Sequence, residues 1–195
     1  MSQPQDPSSP ETLSQIVAWI RSSLSRGVAD PRSSFHWPTL ATVTAEGEPR
    51  MRTVVLRGHD AERRELSFFT DRRSDKCPEI EAAPGSAVHV YDGRKKIQLR
   101  LRGTSFLHFE GEAWERAWER VRRGRTADYS HAPKPGSPVR TFDGFEPQGA
   151  DPESQFTLVR FVYRSADYLH LGKSAHRRAR IDFASDPAVA TWLVP

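Results

Sequence analysis

From Pro38 onward the chain consists of short runs with apolar residues at every second position, and this repetition is its strongest constraint on folding. Leu40, Thr42 and Thr44 alternate with Ala41, Val43 and Ala45, and Glu46-Gly47 supplies a turn. Further strands are expected over 50–57, 66–71, 87–91, 96–108, 155–163, 167–171, 178–183 and 189–194, with 58–64 as a connecting loop. The run 96–108 is long enough to bend, and Gly103 is where a strand could do so. Strands of similar length with few helices between them indicate a mostly antiparallel β-barrel. No internal repeat interrupts the pattern.

Helical spacing appears in three places. Residues 1–8 read as a disordered tail, after which Ser9-Pro10-Glu11 has the residue types of a helix start. Leu13, Ile16, Val17, Ile20 and Leu24 then form one stripe that closes at Gly27, an amphipathic helix expected against the outside of the core. A short helix is expected over 74–83, stopped by Pro84-Gly85, with Pro78 awkwardly placed one turn in. A third spans 111–123, with Trp114, Ala117, Trp118 and Val121 on one face. Residues 130–155, rich in Pro, Gly, Ser and Asp, are the longest loop. The whole reads as one domain over 9–195.

Charge and cysteine usage narrow the function. A net charge of +4 and a pI near 9.5 favour anionic partners, and the excess suits a phosphate ligand as well as a nucleic acid. Cys77 is the lone cysteine, so no intrachain disulfide forms and a reducing compartment is the default. No apolar run reaches the roughly 20 residues of a membrane span, and the first residues lack the features of a signal peptide. A soluble cytoplasmic protein is expected. The seven histidines show no paired metal spacing, so no metal is expected. Glu110, Glu112, Glu115 and Glu119 read as a charged helix face, and no glycine-rich nucleotide loop is present.

The chemistry concentrates in two basic, aromatic-bearing strands, 50–57 and 66–71, that run into Arg72-Arg73-Ser74-Asp75-Lys76. A strand arginine, a Phe-Phe-Thr strand end and a Ser-x-Lys helix start are the groups needed to hold a phosphate beside a flat ring. A hairpin could fold Arg52 back toward Thr70, and a helix opening at Ser74 would add backbone N–H groups and its dipole. Taken singly, Arg52 is an ordinary solvated strand residue and Ser74 an ordinary cap.

Together these pieces resemble the pyridoxamine 5′-phosphate oxidase-like flavoproteins, which are FMN-binding split β-barrels. The resemblance lies in Arg52-Thr-Val-Val-Leu-Arg57, Phe69-Thr70, Ser74-Asp75-Lys76 and Gln98, at matching spacing, with 40–49 similar to the family's first hairpin. It implies a mainly β fold with flanking helices, an antiparallel split barrel. It further implies that Arg52 and Lys76 hold the FMN phosphate, and that Phe69 and Thr70 lie near the ribityl chain and ring. Backbone of Val54, Val55 and Leu56, next to Thr53, would line the isoalloxazine. Gln98 would reach the cofactor from a partner strand or subunit. A homodimer with FMN at the interface and a small planar substrate are expected by the same likeness.

The chain departs from that pattern at several positions. Arg57 replaces a lysine, and Asp75 stands where a second basic residue is expected, which removes one phosphate contact. Near the C-terminus Arg180 takes the place of an arginine that touches the flavin, and Leu169 that of a tryptophan. The substrate-handling Arg-x-His pair is not reproduced; His176 and Arg178 occupy that region. A vitamin B6 substrate is therefore not supported, and no catalytic residue is assigned. The resemblance implies an FMN-dependent oxidoreductase as the leading reading; a flavin-sequestering protein without turnover is the second, and a related flavin, deazaflavin or haem could replace FMN in such a barrel. A nucleic-acid-binding barrel using Lys95, Lys96, Arg100, Arg102 and Phe106 is a distant third. Cys77 reads as inert unless a helix start lowers its pKa.

Overall fold

The computed structural model describes residues 10–124, 126–141 and 149–195; the expected tail 1–8 and part of the long loop lie outside them. Nine strands form one antiparallel sheet: β1 (Thr39–Val43), β2 (Pro49–Thr53), β3 (Leu56–Asp60), β4 (Glu65–Asp71), β5 (Gly85–Asp92), β6 (Ile97–His108), β7 (Phe156–Leu171), β8 (His176–Asp182) and β9 (Val189–Leu193). Four helices flank it: α1 (Leu13–Ala29), α2 (Lys76–Ala82), α3 (Glu112–Arg122) and the short α4 (Pro152–Gln155).

The spatial order β2-β1-β5-β6-β7-β4-β3 puts β2 and β3 at opposite edges, although they are consecutive in the chain. Thr53 ends β2 and Leu56 begins β3, so those edges are joined by a link that spans at most ~10 Å. Only a sheet rolled upon itself satisfies both facts. Its edges meet without pairing, which is the split barrel. The expected single strand over 50–57 is thus two strands serving different edges, and Arg52 does not share a hairpin with Thr70.

One long strand organises the rest. Where the sequence pattern suggested separate strands over 155–163 and 167–171, β7 runs unbroken alongside β6. Its first half also pairs β4 and its second half β8. The switch of partner falls at Arg164, an extra residue opposite the step from Arg102 to Gly103. A polar residue there reads as a loop in sequence but is a bulge in space. Gly103 is the bend expected of it: a Cβ would lie 2.0 Å from the Val162 carbonyl oxygen and 2.8 Å from Tyr163 Cα.

Inward-facing Leu40, Leu66, Phe68, Val88, Leu99, Leu101, Phe161 and Tyr168 fill the barrel. Ile16, Ile20 and Leu24 are as buried as any of them, so α1 completes the core and does not merely cover it. That helix starts later than Ser9-Pro10 suggested. Thr12 and Gln15 form a capping box, with Gln15 N–H donating to Thr12 Oγ1 (3.2 Å) and Thr12 N–H to Gln15 Oε1 (3.0 Å). It also runs through Gly27 to Ala29, because the glycine allows Phe35 to approach within 2.7 Å of where a Cβ would stand. Helix α3 forms a second cluster as its stripe predicts, with Trp114, Ala117, Trp118 and Val121 packed on Phe156 and Leu158.

Replacing Gly103 by alanine forces the bulge apart. An overpacking loss of roughly 1–3 kcal/mol or more is expected, read as a lowered denaturant midpoint with unchanged slope. A midpoint within error of the parent would show that the two strands separate freely there.

Candidate cofactor site

Arg52 lies on the inward face of the edge strand β2, in register with buried Leu40. Its guanidinium donates from Nη2 to Glu79 Oε2 (2.7 Å), and from Nη1 to Thr42 Oγ1. Thr42 in turn donates to Glu79 Oε2 (2.5 Å). Thr42 and Glu79 are buried, so the partly exposed arginine is anchored by a three-membered network linking β1, β2 and α2. A guanidinium carries five N–H donors, which leaves part of the fork for another acceptor.

Lys76 opens α2 and donates from Nζ to Thr70 Oγ1 at 2.8 Å. Thr70 is on the same inward face of β4 as Phe68, and is itself buried. Among the described residues no carboxylate lies within ion-pair distance of this ammonium. Burial pushes its pKa below the ordinary 10.5; the positive charge of Arg52 acts in the same direction, and Cys77, Glu79 and Asp71 act against it. A half-buried ammonium with one hydroxyl partner and no direct ion pair has donors left for an anion. Ser74, also buried, precedes it by two residues.

The anion-binding role of the helix start is smaller than the sequence suggested. Helix α2 has seven residues and begins at Lys76, with Asp75 as N-cap making no side-chain cap bond. Pro78 causes no kink, since it falls in the first turn, where its missing N–H has no intrahelical partner to lose. The position does not activate Cys77: burial raises its thiol pKa to about 11, and Sγ sits 3.6 Å from the Asp71 carbonyl oxygen. Asp75 is exposed and pairs with Lys134 at 2.8 Å. Just upstream, Arg73 is forked onto Asp71 (Nε to Oδ1 3.0 Å, Nη2 to Oδ2 2.7 Å) and donates to the carbonyls of His131 (2.8 Å) and Ala132 (3.0 Å).

Phe69 points to the other face of β4, toward α3. Its ring lies under two guanidiniums, Arg57 at 5.8 Å and Arg120 at 5.6 Å, and Arg120 is fixed by donating to the Arg57 carbonyl at 3.1 Å. A cleft of about 340 Å³ opens beside it, lined by Arg57, Phe69, Arg120, Arg123, Asp128 and Tyr129. Between Arg52 and Arg57, Thr53 is exposed, Val54 and Val55 half-buried and Leu56 buried, with Val54 N–H donating to the Pro38 carbonyl at 2.9 Å.

Gln98 and Arg180 are elsewhere. Gln98 alternates with buried Ile97 and Leu99 on β6, and so faces outward, beside His89 Nε2 at 3.4 Å. Arg180 is exposed on β8 opposite Asp167, on the same outer face. Within one chain neither joins Arg52, Thr70 and Lys76. Arg178 is occupied: with Arg100 it grips Asp167 (both Nη2 to Oδ2, 2.9 Å). Burial works against ionisation of Asp167, yet these two guanidiniums hold its pKa below the usual carboxylate value.

Sequence reasoning missed Thr42, Glu79, Arg120 and Lys134. None carries a local signal, because each meets its partner 10 or more residues away: Thr42–Arg52, Arg52–Glu79, Arg57–Arg120 and Asp75–Lys134.

Among the described residues no group of three or more metal-binding side chains occurs, and no helix is long and apolar enough to cross a membrane. Residues 17–109 match the family of the pyridoxamine 5′-phosphate oxidase FMN-binding domain. Two curated relatives are pyridoxine/pyridoxamine 5′-phosphate oxidases. The one from Rubrobacter xylanophilus is 34% identical over 109 residues, 56% of this chain and 48% of the relative. The one from Microcystis aeruginosa is 33% identical over 105 residues, 52% and 46% respectively. The matched segment thus spans about half the length of these relatives. Among solved structures, a pyridoxamine 5′-phosphate oxidase-related, FMN-binding protein from Nostoc punctiforme superposes with a TM-score of 0.72 at 24% identity, covering 91% of this chain and 96% of that one. PhzG from Burkholderia lata, in complex with tetrahydrophenazine-1-carboxylic acid, gives 0.69 at 16% identity over 92% of each chain. Residues 17–109, the stretch that supplies Arg52, Thr70 and Lys76, thus match the FMN-binding domain of the pyridoxamine 5′-phosphate oxidase family, and the chain has the fold of the solved FMN-binding split barrels.

Proposed function

We propose that the protein is an FMN-dependent oxidoreductase that acts on a small planar substrate as a homodimer. The observation that carries the reading is Lys76, an ammonium drawn into the barrel edge beside Arg52 and held by a hydroxyl, with Glu79 and Asp71 near but neither paired to it. Its remaining donors take the FMN phosphate. Arg52 offers the same phosphate the open part of its fork, and Ser74 a hydroxyl. Thr70 holds the Lys76 ammonium in place and the backbone of Val54 to Leu56 flanks the ring, while Phe69, on the opposite face of β4, lines the neighbouring cleft.

Bound FMN supplies the two-electron acceptor of the reaction. The cleft beside Phe69 supplies the place for substrate: an aromatic wall with the guanidiniums of Arg57 and Arg120 over it suits a flat, anionic molecule. Gln98 and Arg180, which face away from the phosphate end in their own chain, serve the cofactor of a second copy. That arrangement explains how residues on opposite faces of one sheet could belong to one site.

A second reading, flavin binding without turnover, is favoured by one contact. Arg178 stands in the region of the substrate-handling pair, but it is engaged with Asp167 and so is not presented to a ligand. The yellow protein reduced by no amine, alcohol or nicotinamide would support this second reading against the first.

Purified protein is expected to be yellow and to release FMN on denaturation; colourless protein that cannot be loaded with FMN overturns both readings. Arg52→Ala alone is a poor probe, because it strands a buried Glu79 carboxylate at a cost of about 3–5 kcal/mol. The paired change Arg52→Gln with Glu79→Gln keeps both groups neutral. It is expected to raise the FMN dissociation constant on the order of 100-fold by loss of charged hydrogen bonds, with riboflavin affinity nearly unchanged. Equal losses for FMN and riboflavin would place Arg52 away from the phosphate.

The lowered pKa of Lys76 sets a pH dependence. A phosphate dianion favours the protonated ammonium, so the bound-state pKa exceeds that of the free protein. FMN affinity relative to riboflavin therefore falls as pH rises through the depressed Lys76 value, at a pH below 10.5. Lys76→Arg should flatten the profile, as titrated by flavin fluorescence quenching; an unchanged profile would exclude Lys76 as the group responsible.

A further inference from the structure

We propose that Lys134 is a positioning residue of the cofactor's phosphate end: it cancels the charge of Asp75 and so sets the preference for a phosphorylated flavin over an unphosphorylated one. The inference rests on the FMN reading above.

Asp75 lies between Ser74 and Lys76, the two α2-side groups assigned to the phosphate. Its carboxylate caps no backbone N–H, and its ion-pair partner comes from a segment 59 residues later: Lys134 Nζ at 2.8 Å from Oδ1. Lys134 is the leading cause of the low Asp75 pKa, with Arg50 and Lys76 adding to it. Bare, this acid would repel a dianion seated beside it. Paired, it is silent.

The segment that carries Lys134 is held two and three residues upstream. Arg73 donates to the carbonyls of His131 and Ala132, while the Asp71 carboxylate fixes Arg73 on both oxygens. Asp71 ends β4, so the lysine is referred back to the same strand that presents Thr70. An ion pair this exposed contributes little to folding stability. Its consequence is for whatever anion binds next to Asp75.

The test measures FMN and riboflavin affinity by fluorescence quenching in full-length protein. Lys134→Ala is expected to weaken FMN on the order of tenfold at low salt, to leave riboflavin within about twofold, and to lose this effect near 1 M salt, where screening acts within about 3 Å. Asp75→Asn should bind FMN at least as well as the parent, and adding Lys134→Ala to it should cost no further affinity. Thermal midpoints of all three variants should match the parent, since a structural role would move them. The proposal fails if Lys134→Ala leaves FMN affinity unchanged, weakens both flavins alike, or still weakens FMN in the Asp75→Asn background. Parent protein that binds riboflavin and FMN equally, or neither, overturns the phosphate assignment itself.

Discussion

The contact between Arg52 and Glu79 joins the edge of the rolled sheet to the helix beside it, and both the fold and the site depend on it. Strand β2 has a hydrogen-bonded neighbour on one side only, so its inward side chain needs something else to hold it. Glu79 and Thr42 provide that hold in a buried setting. Taking two charges out of water is costly, and the attraction between them offsets the cost only with good geometry and satisfied remaining groups. Thr42 satisfies the carboxylate oxygen already shared with Arg52. The outcome is an arginine with little freedom left to lose, as the proposed phosphate contact would require.

Barrel closure brings the other half of the site to the same place. The short link from Thr53 to Leu56 forces the β2 edge and the β3–β4 edge together, although no ladder joins them. Thr70 and Lys76 therefore arrive beside Arg52 by topology and not by a hairpin. A seam without backbone pairing is also a natural cleft for a ligand, because the groups along it are not already committed to a neighbouring strand. The long strand β7 makes this geometry possible by belonging to two walls, pivoting at the Arg164 bulge against Gly103.

What could be read from the sequence was what depends on short spacing. Strand alternation, the α3 stripe and the Arg-x4-Arg, Phe-Thr and Ser-x-Lys pieces each fit within a dozen residues, so the local chain carries the whole signal. The bend at Gly103 was readable for the same reason. What was not readable depends on closure. Nothing around Glu79 marks it as the partner of Arg52, since Pro-Glu-Ile-Glu would suit any exposed helix. The division of 50–57 into two strands is hidden because Thr-Val-Val-Leu is a good strand sequence throughout, and only the sheet order shows that its halves serve different edges. The pairing of Asp75 with Lys134 is hidden for the same reason, since the two lie 59 residues apart and meet only in space.

The faces of the sheet carry the last step. Residues directly opposite each other in antiparallel strands share a face, so Gln98 with Tyr91 and Leu169, and Arg180 with Asp167, belong outside, while Arg52 with Leu40 belongs inside. No side-chain rotation carries a residue through a sheet. Either the outer residues have nothing to do with the cofactor, or a second copy brings its outer face to the first copy's seam. On the outer face Met51 and Tyr91 are exposed, and Arg100, Asp167 and Arg178 form a network across three strands. Such a network is weak while water reaches it and stronger once water is excluded. Under the proposed arrangement cofactor binding and subunit pairing draw on the same contacts, so each stabilises the other by mass action.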